Sequence, residues 1–80
     1  MRGLALFGFP VRAIADAITQ HLAAQPKSAD TVEGVQQWWL RPRGIDVSLS
    51  AVTEALLLLE HEQVVTRRVC GAREVWRAMR

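Results

Sequence analysis

Ser48-Leu49-Ser50-Ala51-Val52-Thr53-Glu54-Ala55-Leu56-Leu57-Leu58-Leu59-Glu60-His61-Glu62 is the longest unbroken helical pattern in this 80-residue chain. Ser48 is the best N-cap, since a serine hydroxyl can accept from the free amides of a first turn. The helix is expected to run to about Gln63. At 100° per residue, Leu49, Val52, Leu56 and Leu59 fall within an arc of about 80°. That arc is the expected core stripe. The opposite face holds Ala51, Glu54, Leu57, Leu58 and His61. A helix buries one stripe, so Leu57 and Leu58 are expected to face outward, and what they face is the functional question.

The flanking segments supply the rest of a small domain. Pro10 suits a first helical position. Val11, Ile14, Ala15, Ile18 and Leu22 recur at helical spacing until Gln25-Pro26, where the residue before proline avoids helical angles. A second helix starts at Asp30, with Glu33 at the capping-box spacing, and its stripe is Val32, Val35 and Trp39. Gly34 costs this helix about 1 kcal/mol relative to alanine, which close packing there would offset. Adjacent Trp38 points about 100° away from Trp39 and is expected at the margin or on the surface. Arg41-Pro42-Arg43-Gly44 ends the helix in a basic turn, and Ile45 to Val47 allows a very short strand.

After the long helix, Val64 to Cys70 is rich in β-branched residues, and Gly71-Ala72 fits a two-residue hairpin turn with glycine first. With that turn, Cys70 opposes Arg73, Val69 opposes Glu74, Arg68 opposes Val75 and Arg67 opposes Trp76. Alternation puts Val65, Val69, Trp76 and Ala78 on an inward face, with Arg67 over Trp76 as a cation–π pair. The outward face carries Thr66, Arg68, Arg73 and Arg77. Arg41 and Arg43 would extend this basic edge if their turn lies nearby.

Three helices followed by a hairpin resembles a winged helix-turn-helix domain. The resemblance is most specific over residues 47–79, where Ser48 to Leu56, Leu59-Glu60 and Val64-Val65-Thr66-Arg67-Arg68 look like a recognition helix running into its wing. It implies an α+β fold, a small winged helix with three helices and a C-terminal β-hairpin wing. Residues 10–80 form this domain, and residues 1–9 form a leader or short strand. Many members of that family bind DNA with the third helix in the major groove and the wing on the backbone. Others use the same surfaces to bind proteins. Two departures stand out. Gln63 stands where a glycine often ends the family's helix. Leu57 and Leu58 stand where DNA-binding members carry polar or basic residues.

Composition narrows the function classes. Half the residues are apolar, enough for a globular core, and the net charge is only +2. Residues 44–62 carry four acids and no Lys or Arg, whereas residues 63–80 carry five arginines and Glu74 alone. A single cysteine, Cys70, excludes an internal disulfide framework and is simplest in a reducing cytoplasm. No apolar run approaches the roughly 20 residues of a membrane span. The start is a weak match to a signal peptide, with Ala13-Ile14-Ala15 as its small-x-small site and Pro10 interrupting the apolar run.

Chemistry-bearing sets are missing. His21, His61 and Cys70 lack the paired spacing of a zinc site, and the serines cluster where helix capping explains them. No phosphate loop, catalytic set, cofactor or small-molecule substrate is expected. The expected work is macromolecular binding. The favoured contact is with a protein or with a second copy, a homodimer included, through Ala51, Leu57, Leu58, His61 and Trp38. The alternative is a DNA-binding transcriptional regulator, gripping phosphates with Arg41, Arg43, Arg68, Arg73 and Arg77.

Overall fold

A computed structural model describes residues 9–79. The expectations placed on residues 1–8 lie outside the described residues. The fold is α+β: three helical segments followed by a C-terminal antiparallel strand pair.

Helix α1 spans Val11–Ala24, one residue later than Pro10 suggests. Pro10 is its N-cap, and the Pro10 carbonyl accepts from the amides of Ala13 and Ile14 at 3.0 and 3.2 Å. The expected stripe is buried at Ile14, Ala15, Ile18 and Leu22, joined by Ala17. Ala13-Ile14-Ala15 therefore lies inside this helix.

The next element corrects the sequence reading. Strand β1, Ala29–Asp30, precedes the second helix, and Asp30 is a strand residue rather than a cap. The cap is Thr31, whose hydroxyl accepts the Gly34 amide at 3.1 Å. The Asp30 carboxylate instead accepts the Thr31 amide at 2.9 Å. Gly34 is buried, and a Cβ there would run into the Asp30 carboxyl group, which is the close packing its cost requires.

The second helical segment, α2, covers residues 32–43 and is irregular. An α turn at Val32–Gly34 widens into a π segment, Val35–Leu40, then tightens to a 3-10 turn, Arg41–Arg43. Pro42 supplies the physical reason. It lacks an amide proton, and in a regular α-helix its ring would crowd the carbonyl of Trp38, four residues back. The wider turns let Trp39 and Leu40 both be buried, so Leu40 joins a stripe where simple helical spacing omits it. Gly44, at φ +80°, ends the segment. Ile45 to Val47 forms no strand; the Val47 carbonyl accepts from Gln36 Nε2 at 2.7 Å.

Helix α3 spans Leu49–His61, with the Ser48 hydroxyl accepting the Ala51 amide at 3.1 Å as expected. It stops short of Gln63, which sits in the left-handed region at φ +63°. Val64 N–H donates to the Leu59 carbonyl at 2.8 Å and Gln63 N–H to the Glu60 carbonyl at 3.0 Å. This is the Schellman pattern, built on glutamine where glycine is usual.

Strands β2, Val65–Cys70, and β3, Arg73–Ala78, pair in the expected register, from Cys70 opposite Arg73 to Val65 opposite Ala78. Gly71, at φ +65°, holds the first central position of the turn. The small β1 adds to the other side of β3, giving the order β1-β3-β2. The helices cover one face of this sheet. Val65 and Trp76 seal its base against Ile14, Ile18, Val35, Leu40, Val52, Leu56 and Leu59. The packed face does not extend to the hairpin tip: Val69, expected inward, is 73% exposed. Among the described residues no helix is long and apolar enough to cross a membrane.

Candidate interaction surfaces

The leucine run divides, but not where a regular stripe puts the boundary. Val52, Ala55, Leu56 and Leu59 are buried, and Leu49, expected in the core, is 39% exposed. The buried arc is rotated by about 30° from the expected one, toward Ala55. Helix α1 causes the rotation by lying along α3. Arg12 of α1 grips Glu62 with two hydrogen bonds, at 2.9 and 3.2 Å. Leu58 lies one turn before Glu62 on that flank. Leu58 and Ala51 are consequently half-buried against the core rather than outward. The outward stripe is Ser50, Glu54, Leu57 and His61, with Leu57 43% exposed. On α2, Trp38 is 70% exposed while Trp39 is buried.

Charges are sorted by face. Arg67, on the packed face of the hairpin, binds Glu60 through Nε and Nη2, both at 3.1 Å, and reaches Glu74 at 3.5 Å. Its guanidinium carbon lies 5.1 Å from the Trp76 ring centroid, the expected cation–π pair. The Glu60 hydrogen bond, with the charges of Glu60 and Glu74, raises the Arg67 pKa. Likewise the Arg12 hydrogen bond holds the Glu62 carboxyl below its ordinary range. Arg12 also meets Asp16 at 3.4 Å. Both acids at the end of α3 are thus engaged in holding the fold. Glu54, in mid-helix, has no ionic partner among the described residues.

The outer face of the sheet is different. Arg68 and Arg77 are exposed there, Arg73 is exposed beside the hairpin turn, and none of the three makes an ion pair among the described residues. They do not share one hollow. Arg68 and Arg77 rim a groove of about 600 Å³ with Lys27 from the α1–β1 loop, over a floor that includes Pro26, Val75 and Ala78. No acid lines this groove. Arg73 lines a separate shallow hollow with Thr31, Glu33, Leu49 and Thr53. Arg41 and Arg43 do not extend the basic edge. Arg41 is tied to Gln37 at 3.3 Å and Asp46 at 3.5 Å, and Arg43 to Gln20 at 3.4 Å. Lys27 is the member that sequence reasoning missed. Its position depends on β1 pairing with β3, and Ala29-Asp30 carries no strand signal of its own.

The metal-ligand candidates have other roles. His21 stacks on Trp39, centroids 4.4 Å apart and planes 13° apart, with a ring nitrogen 3.1 Å from Ser28 Oγ. Burial, reinforced by Arg43, lowers the His21 pKa. His61 and Cys70 are exposed on different elements. Among the described residues no three His, Cys, Asp or Glu side chains come together as a metal site.

No family model, curated protein or solved structure matches the chain.

Proposed function

We propose that this chain is a small, non-enzymatic winged-helix module of the cytoplasm that works by binding another protein chain through the outward face of α3. The observation that carries the reading is the outward stripe itself. Between Leu49 and His61 there is no Lys or Arg, and the exposed positions offer Glu54, Leu57 and His61. A helix that reads base edges wants Arg, Lys, Asn or Gln there, and one that approaches phosphate wants positive charge. A solvent-facing leucine beside an unpaired carboxylate suits a protein surface better. Trp38 adds an exposed aromatic of the kind that anchors interfaces. The helix–strand–helix–helix–hairpin order and the β1-β3-β2 sheet support the winged-helix part of the reading.

A second reading is favoured by one observation, the unpaired arginines on the outer sheet face. It is a DNA-binding regulator that grips phosphate with Arg68, Arg73 and Arg77. Its binding would fall steeply as salt rises.

The test is capture by a tagged chain. Leu57→Glu keeps the helical circular dichroism of the wild type and loses the partner protein, as does Trp38→Ala if the tryptophan belongs to the same contact. If Leu57→Glu unfolds, the leucine is core and the reading fails. If the variant retains the same proteins, α3 is not the contact.

A further inference from the structure

We propose that copies of this chain associate head to tail, the outward face of α3 in one copy seating on the basic groove of the sheet in the next. The inference rests on reading that face as a protein contact, and it names the occupant.

The two surfaces match in chemistry and are opposite in sign. One presents Leu57 with the unpaired carboxylate of Glu54, and α3 carries no Lys or Arg to oppose a cation. The other presents Lys27, Arg68 and Arg77 around an apolar floor that includes Val75 and Ala78, with no acid in its lining. Of the other acids on and beside α3, Glu60 is paired with Arg67, Glu62 with Arg12 and Asp46 with Arg41, while Glu33 stands with Arg73 in the separate shallow hollow. Glu54 on one surface and three cations on the other are therefore left to meet across an interface. Opposite charges placed around an apolar centre fix register and exclude like-on-like pairing. A face-to-face pair through the groove would set six cations against one another.

Different patches meet on the two copies, because α3 lies on one side of the sheet and the groove opens on the other. Such a contact is heterologous and grows unless the rotation happens to close a ring. A contact of ordinary size takes about 800 Å² from each partner. A chain with 5230 Å² of accessible surface can give that much on two faces.

Light scattering on the full-length chain tests this. The average mass is expected to rise with concentration, to pass the dimer, and to fall as salt is raised, because rim charges are screened. Two variants then separate the surfaces. Glu54→Lys with Leu57→Glu blocks the helix face. Arg68→Glu with Arg77→Glu blocks the groove, and Lys27→Glu replaces that pair if it fails to fold. Each variant alone is expected to be a monomer with wild-type circular dichroism. Mixed in equal amounts, they form a one-to-one dimer and nothing larger, since one groove and one helix face remain.

A wild-type chain that is monomeric at every concentration overturns the proposal. So does a mass that stops at a dimer, or a mixture of variants that stays monomeric. Duplex DNA bound by a monomeric chain and lost with Arg68→Glu/Arg77→Glu assigns the groove to nucleic acid and overturns it too. None of these results touches α3 as a contact for a different protein, which is judged by Leu57→Glu capture.

Discussion

Gln63 is held at φ +63° by the two hydrogen bonds that close α3, a conformation that costs a residue with a Cβ about 1–2 kcal/mol. Glycine escapes that cost and loses about 0.5–1 kcal/mol in chain entropy on folding. Gln63→Gly is therefore expected to stabilise the fold by about 0.5–1 kcal/mol, read as a higher denaturation midpoint at unchanged slope. Gly34 behaves in the opposite sense. Alanine is the better helix former, but its methyl group would meet the Asp30 carboxyl, so Gly34→Ala should destabilise by about 1–3 kcal/mol. In an Asp30→Gly background the loss should shrink or reverse, and equal losses in both backgrounds would show that the two residues are not coupled. His21 gives a pH dependence of known sign. Its folded pKa lies below the ordinary imidazole value, so the folded state favours the neutral ring. Its contribution is fully present above about pH 6.5 and is lost as pH falls through the lower folded value. Replacement by phenylalanine should flatten stability against pH in that window, and an unchanged profile would assign the dependence elsewhere.

At the scale of elements, neighbouring arginines on β2 separate structure from surface. Arg67 spans Glu60, Glu74 and Trp76, whereas Arg68 on the other face makes no ion pair among the described residues. Arg67→Ala should lower the denaturation midpoint measurably, since it removes a cation–π contact together with a partly screened ion pair. Arg68→Ala should stay within about 0.5 kcal/mol. Equal costs would mean that the hairpin is not fastened to α3 through Arg67. The hairpin register and the Ser48 cap were legible in the sequence because both follow from local chemistry: a glycine turn of fixed length, and one hydroxyl ahead of an apolar run. What escaped was non-local. Strand β1 exists because β3 offers it a partner, and Thr31 outcompetes Asp30 as cap because that pairing draws Asp30 into the sheet. The π widening around Trp38 follows from Pro42, yet its effect on burial could not be read from a regular 3.6-residue period.

Across the whole molecule, the leucine run shows how a fold and a free surface can share one helix. Leu56 and Leu59 close the core, Leu58 is half-buried against it, and Leu57 is left to solvent. An isolated helical stripe distinguishes inside from outside but cannot supply the rotation that α1 imposes, which is why Leu58 and Ala51 were expected outward. The basic edge was likewise legible in its arginines but not in its grouping. Arg73 turned to another hollow, and Lys27 came from a loop distant in sequence. Capture by tagged wild-type chain and by tagged, folded Leu57→Glu, compared side by side, tests most directly whether the outward leucine binds a protein. Loss of a stoichiometric protein partner in the variant is expected; equal retention by both chains would contradict it.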